Sequence, residues 1–134
     1  MQEKIDLIKK IFSTDKSEKE IYEEIIEFGK KSSLFPQNEL IKTNLVRGCQ
    51  SLLYLTHTFE NEKIFFYIHS DALISKGLAQ LLVFIYSAQE PKQLFTAPPT
   101  FLKDLKVIEK ISMNRQIGIS NLFDSMLVLA SKYI

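Results

Sequence analysis

Between Leu53 and His69, apolar and polar residues alternate on either side of Glu60-Asn61-Glu62, and this pattern constrains the fold most tightly. Strand side chains point to opposite faces with a period of two, so the turn decides which residues meet. If Asn61-Glu62 is a two-residue loop, Phe59 faces Ile64, His57 faces Phe66 and Leu55 faces Ile68. Leu53, Leu55, Phe59, Ile64, Phe66 and Ile68 then share one face. The other face carries Tyr54, Thr56, Thr58, Phe65 and Tyr67 and is half polar. The strands are expected over Gln50 to Phe59 and Lys63 to His69, preceded by Leu45 to Cys49 as a short first strand or an extended loop.

Helical patterns surround the hairpin. Ile5, Ile8 and Phe12 fall at helical spacing, and Ile21, Ile25, Ile26 and Phe28 follow Ser17-Glu18-Lys19-Glu20, which reads as a capping box. Gly29 and Ser32-Ser33 end that helix, and Pro36-Gln37-Asn38 continues as loop. Ser70-Asp71 reads as the start of a helix reaching about Ser87, with either side chain able to accept a backbone N–H at the N-cap. Leu78 to Tyr86 is apolar on most sides, as expected of a central helix lying on the sheet. Gly77 inside it costs about 1 kcal/mol relative to Ala, which points to a close backbone approach. Pro91 opens a short helix or turn, and Pro98-Pro99 separates it from a segment at Phe101 to Ile108. A last helix from about Arg115 to Tyr133 carries Ile119, Leu122, Phe123, Met126, Ala130 and Tyr133 along one stripe. The expected architecture is one α/β (α+β) domain over residues 1–134.

Composition narrows the function. With 134 residues, 46% of them hydrophobic, one core is feasible without staples, and a net charge of +1 argues against a nucleic-acid binder. A single Cys excludes an internal disulfide, a Cys₄ zinc site or an iron–sulfur ligand set. No His/Asp/Glu cluster suggests a metal, and neither a phosphate-binding Gly-rich loop nor paired catalytic carboxylates suggest independent chemistry. The chain is therefore expected to work without a cofactor of its own and not as a stand-alone enzyme. The charged start Met1 to Asp6 is unlike a signal peptide, and the apolar run Leu81 to Tyr86 is too short to span a bilayer. With a free thiol, these features fit a cytoplasmic protein.

The rare residue types come next. Positive charge is supplied as 15 lysines and two arginines, Arg47 and Arg115. Cys49 lies in Arg47-Gly48-Cys49-Gln50-Ser51, a small polar stretch, whereas structural cysteines usually sit among large apolar neighbours. It is either a reactive thiol or an incidental buried one. Extending the hairpin register sets Asp71 level with Leu52 and the first turn of the central helix level with Cys49. A helix N-terminus there would lower the thiol's pKa. His57 lies eight residues from Cys49, roughly 26 Å along a straight strand, and His69 pairs near Tyr54, so both read as sheet residues rather than bases. Arg115 opens a helix, where a cation opposes the macrodipole, so it either serves a site or is simply solvated. Asp71 can in any case serve as a plain N-cap.

At these positions the chain resembles the SufE family, sulfur acceptors that work with cysteine desulfurases in iron–sulfur cluster assembly. Three segments carry the likeness: Val46-Arg47-Gly48-Cys49-Gln50-Ser51, Ser70-Asp71-Ala72-Leu73-Ile74-Ser75-Lys76-Gly77-Leu78, and Asn114-Arg115-Gln116-Ile117-Gly118. The resemblance implies a small curved antiparallel sheet packed with helices, the SufE/IscU-like fold shared with iron–sulfur scaffold proteins. It implies Cys49 as the persulfide-forming nucleophile, Asp71 and Arg115 as its companions, and Arg47, Gly48, Gln50 and Ser51 as supporting residues. The implied partners are a SufS-like cysteine desulfurase, which holds the pyridoxal phosphate, and a downstream Fe–S scaffold complex. The chain departs from the family where a Trp is common, having Tyr54, and where Arg-x-Asn-Gly becomes Arg115-Gln116-Ile117-Gly118. Two other readings stay open: a desulfurase-binding regulator that carries no sulfur, and a one-cysteine redox sensor.

Overall fold

A computed structural model describes residues 1–12, 16–49, 51–105, 107–108 and 111–134. Strands β1 (Tyr54–Glu60) and β2 (Lys63–His69) form an antiparallel pair in which Leu55 faces Ile68, His57 faces Phe66 and Phe59 faces Ile64. Asn61 and Glu62 both take positive φ, 51° and 64°, the conformation a two-residue hairpin needs to match strand twist. The expected register is therefore the observed one. Leu53, Leu55, Ile64, Phe66 and Ile68 are buried as the alternation requires. Phe59, on the same face, lies beyond the helical cover and is exposed, stacked at 4.1 Å on Tyr133.

The sheet differs from expectation at its first edge. Of the two alternatives for Leu45 to Cys49, the loop is the observed one: Leu45 makes one bridge to Tyr54, and the Val46 N–H donates to the Leu53 carbonyl at 2.8 Å. Arg47 and Gly48 form a turn, with Gly48 at φ 77°, and regular pairing starts at Tyr54 and not at Gln50. Gln50 itself and Lys106, inside the expected Phe101 to Ile108 segment, lie outside the described residues.

The helices pack as their stripes direct. Helix α1 (Gln2–Phe12) buries Ile8 and Phe12. Helix α2 (Glu18–Gly29) opens on the predicted capping box, with the Glu20 N–H donating to Ser17 Oγ and the Ser17 N–H to the Glu20 carboxylate. That reciprocal contact holds the Glu20 carboxyl below its usual pKa. Helix α3 (Leu73–Tyr86) is the central one, buried over most of its second half between β2 and α2. Its crossing with α2 explains Gly77, because a Cβ there would sit 2.1 Å from the Ile25 carbonyl oxygen. Helix α4 (Pro91–Thr96) starts on Pro91, a 3₁₀ turn follows at Thr100–Asp104, and α5 (Met113–Ser131) closes the core with Ile119, Leu122, Phe123, Met126 and Ala130.

The start of α3 corrects a second expectation. Its N-cap is Ala72, which has no side chain to offer, while Ser70 Oγ accepts the Ala72 N–H at 3.2 Å. Asp71 thus caps nothing. Helix α5 begins two residues earlier than expected because Ser112 is a good N-cap, accepting the Arg115 N–H at 3.2 Å.

Candidate functional site around Cys49

The turn carrying Cys49 rests on α5. Gly48 takes the left-handed conformation open to glycine, and a Cβ there would come within 2.3 Å of the Asn121 amide nitrogen. One residue on, the Cys49 thiol donates to the Gly118 carbonyl oxygen at 3.7 Å, between residues 69 apart in sequence. A Cβ at Gly118 would stand 3.4 Å from Cys49 Sγ, an ordinary van der Waals contact, so the sulfur packs close against the helix backbone there. Gly118 and Asn121, one helical turn apart, form the seat of the loop.

Beneath the thiol lies a cavity of about 20 Å³, enough for one water-sized group. Cys49, Ser75, Asn114 and Arg115 supply its polar lining, and Leu53, Leu78, Ala79, Ile119 and Leu122 much of the rest. The first turns of α3 and α5 therefore converge on the half-buried sulfur. Arg115 Nε is buried here without a hydrogen-bond partner, so part of the guanidinium's bonding capacity is unmet.

The electrostatics reverse one expectation. Burial pushes the Cys49 thiol above its ordinary pKa, because the cavity wall is mainly apolar and disfavours the charged sulfur. Half-buried here, Cys49 is thus a protonated thiol donating to a carbonyl, not a stabilised thiolate.

Of the residues singled out from sequence, Cys49 and Arg115 meet in one cavity wall. Asp71 does not line it: its carboxylate is 98% exposed and lies 3.4 Å from His69 Nε2. Arg47 and Gly48 are exposed, Ser51 is half-buried, and Gln50 is outside the described residues. His57 pairs with the Tyr133 hydroxyl at 2.6 Å, and His69 belongs to a ring cluster with Phe35 and Tyr54, so neither contacts the sulfur. Sequence reasoning missed Asn121, Ser75 and the part Gly118 plays. A glycine and an asparagine three apart inside a helix, both poor helix formers, were the available signal. Among the described residues, no group of three or more His, Cys, Asp or Glu could hold a metal, and no helix is long and apolar enough to cross a membrane.

This geometry can be set beside known proteins. The model of the SufE family, described as an Fe-S metabolism associated domain, matches residues 6–130. The chain belongs to the SufE family. The cysteine desulfuration protein SufE of Wigglesworthia glossinidia brevipalpis is 34% identical over 122 residues, spanning 89% of this chain and 83% of that protein. An uncharacterized SufE-like protein of Synechocystis is 30% identical over 108 residues, 81% of this chain and 68% of its own length. The cysteine desulfuration protein SufE of Plasmodium falciparum is 29% identical over 117 residues. The match spans 84% of this chain but only 47% of that longer relative. A hypothetical protein from Thermus thermophilus, solved in solution, has the same fold, with a TM-score of 0.79 over 97% of this chain and 95% of its own, at 20% identity. The SufE fold thus persists where sequence identity is low.

Proposed function

We propose that this SufE family member accepts sulfur on Cys49 from the persulfide of a SufS-like cysteine desulfurase, stimulates that enzyme by clearing it, and passes the sulfur to an Fe–S scaffold complex. The observation that carries the reading is the cavity wall shared by Cys49 and Arg115, with its unanswered buried donor. Family membership and relatives named cysteine desulfuration protein support the same direction.

The chemistry is thiol–disulfide exchange. Cys49 loses its proton, and its thiolate attacks the terminal sulfur of the partner's Cys–S–SH; the partner's S–S bond breaks as the new one forms. Cys49 is left as a persulfide, and the departing thiolate takes up a proton, so atoms and charge balance. A persulfide is anionic more readily than a thiol, and the Arg115 guanidinium would favour it. Pyridoxal phosphate, which releases sulfur from free cysteine, belongs to the partner. The exposed apolar residues Leu52, Leu73, Met113 and Ile117 adjoin the cavity-lining segments and would give the partner a surface to bury. Asp71, fully in solvent, would act at that contact and not on the sulfur. A reducing compartment such as the cytoplasm would keep Cys49 free.

The test is mass spectrometry after incubation with a cysteine desulfurase and cysteine. One added sulfur mass on Cys49 is expected, removable by reductant. Addition of the same mass to Cys49→Ser, or none to the native chain, refutes the reading.

A further inference from the structure

We infer that Asn121 is a positioning residue that holds the Cys49 loop in its retracted seat on α5 and so governs how readily the sulfur becomes exposed. Gly48 is the only point of the loop where the main chain takes a left-handed turn among the described residues, and its Cβ direction is filled by the Asn121 amide, 2.3 Å from where that atom would stand. The next residue's sulfur hangs from the Gly118 carbonyl by a long, weak bond of 3.7 Å. A thiol donor of this kind cannot hold a loop by itself. Among the described residues, the loop's base is tied by the Val46 N–H to Leu53 carbonyl bond, three residues before Cys49, next to the Leu45 bridge to Tyr54. Between these two points the loop is exposed at Arg47 and Gly48, and Asn121 is the side chain wedged against it.

Asparagine is a poor choice for the middle of a nineteen-residue helix, where it competes with the backbone for hydrogen bonds. Here its short planar amide fits against a bare Gly48 Cα, which neither a longer nor a β-branched side chain would match. The fit depends on both partners. A methyl group on Gly48 would meet the amide and lift the loop; a smaller residue at 121 would leave the loop without a wall. In either case Cys49 leaves its cavity more often.

The inference concerns the same site as the proposed function and rests on Cys49 being its reactive thiol, but alkylation measures exposure of that thiol without any desulfurase. Iodoacetamide labelling of the native chain and of Asn121→Ala, Asn121→Leu, Gly48→Ala and the double variant Gly48→Ala/Asn121→Ala provides the measurement, with circular dichroism to establish folding. Asn121→Ala should react several-fold faster, with the pH midpoint of alkylation shifted down towards that of an ordinary thiol. Asn121→Leu, which keeps the bulk, should stay close to the native rate. Gly48→Ala should also react faster, and adding Asn121→Ala should raise the rate by less than the product of the two single effects, because both act on one contact. An unchanged rate and midpoint in Asn121→Ala, or effects of the two substitutions that simply multiply, overturns the inference. In either event the sulfur-labelling result on the native chain still decides the proposed function separately.

Discussion

Gly77 and Gly48 each let main chain approach a neighbour that a side chain would hold off, but the neighbours differ in kind. At Gly77 the obstacle is the Ile25 carbonyl, fixed in the hydrogen-bond ladder of α2, and Gly29 approaches α3 from the other side of the same crossing. At Gly48 the obstacle is the end of one asparagine side chain, which turns on two torsions. The first contact lies inside the core between two helices, the second under an exposed loop that carries the thiol. A backbone contact inside the core fixes the scaffold, whereas a side-chain contact holds the loop only as firmly as one amide allows.

Substitution at the two glycines is the most direct way to break that contrast. Gly77→Ala should lose about 3 kcal/mol in urea denaturation from overpacking, even after the roughly 1 kcal/mol that alanine returns in helix propensity. Iodoacetamide labelling of its folded fraction should match the native rate. A loss under about 1 kcal/mol would mean that α2 and α3 part easily, and the contrast would collapse. Gly48→Ala should cost less, about 1–2 kcal/mol by the same denaturation, since the positive φ is strained but the loop that lifts is already exposed at Arg47 and Gly48. Its main effect belongs in the labelling rate.

Cys49 sharpens the comparison through pH. Burial raises its folded-state pKa above the unfolded value, so the folded chain holds the proton more tightly. The resulting stabilisation is complete below the unfolded thiol pKa and is lost as pH rises through the folded one. Denaturation of the native chain and of Cys49→Ala across that alkaline window should differ in slope, and parallel curves would contradict a buried neutral thiol. The smallest effect is expected at the far end of the sheet. Tyr133→Phe keeps the ring stacked on Phe59 but removes the hydroxyl paired with His57, and should cost under about 1 kcal/mol in thermal unfolding.

Much of the scaffold was legible residue by residue. The capping box at Ser17 and Glu20, the crossing at Gly77 and the stripe of α5 all follow from short-range rules, since each depends on neighbours within a turn or on a glycine's missing side chain. The site was legible only in part. Cys49 and Arg115 stood out by residue type, and the first turn of α3 does reach the cavity. Asp71 did not follow, because Ala72 takes the N-cap and leaves the carboxylate in solvent beside His69. Asn121 carried too weak a signal, as its importance lies in one contact with a residue 73 positions away (121 − 48).

By itself the sequence determined the hairpin, its register and the faces of its helices, because period and turn chemistry act between near neighbours. The state of the only cysteine was decided by the tertiary structure alone. Nothing near Cys49 in the chain foretells a raised thiol pKa; the small neighbours and the helix start argued for the opposite. It takes α5, folded back to set Gly118 and Asn121 under the loop, to bury the sulfur, and desolvation then raises the thiol's pKa.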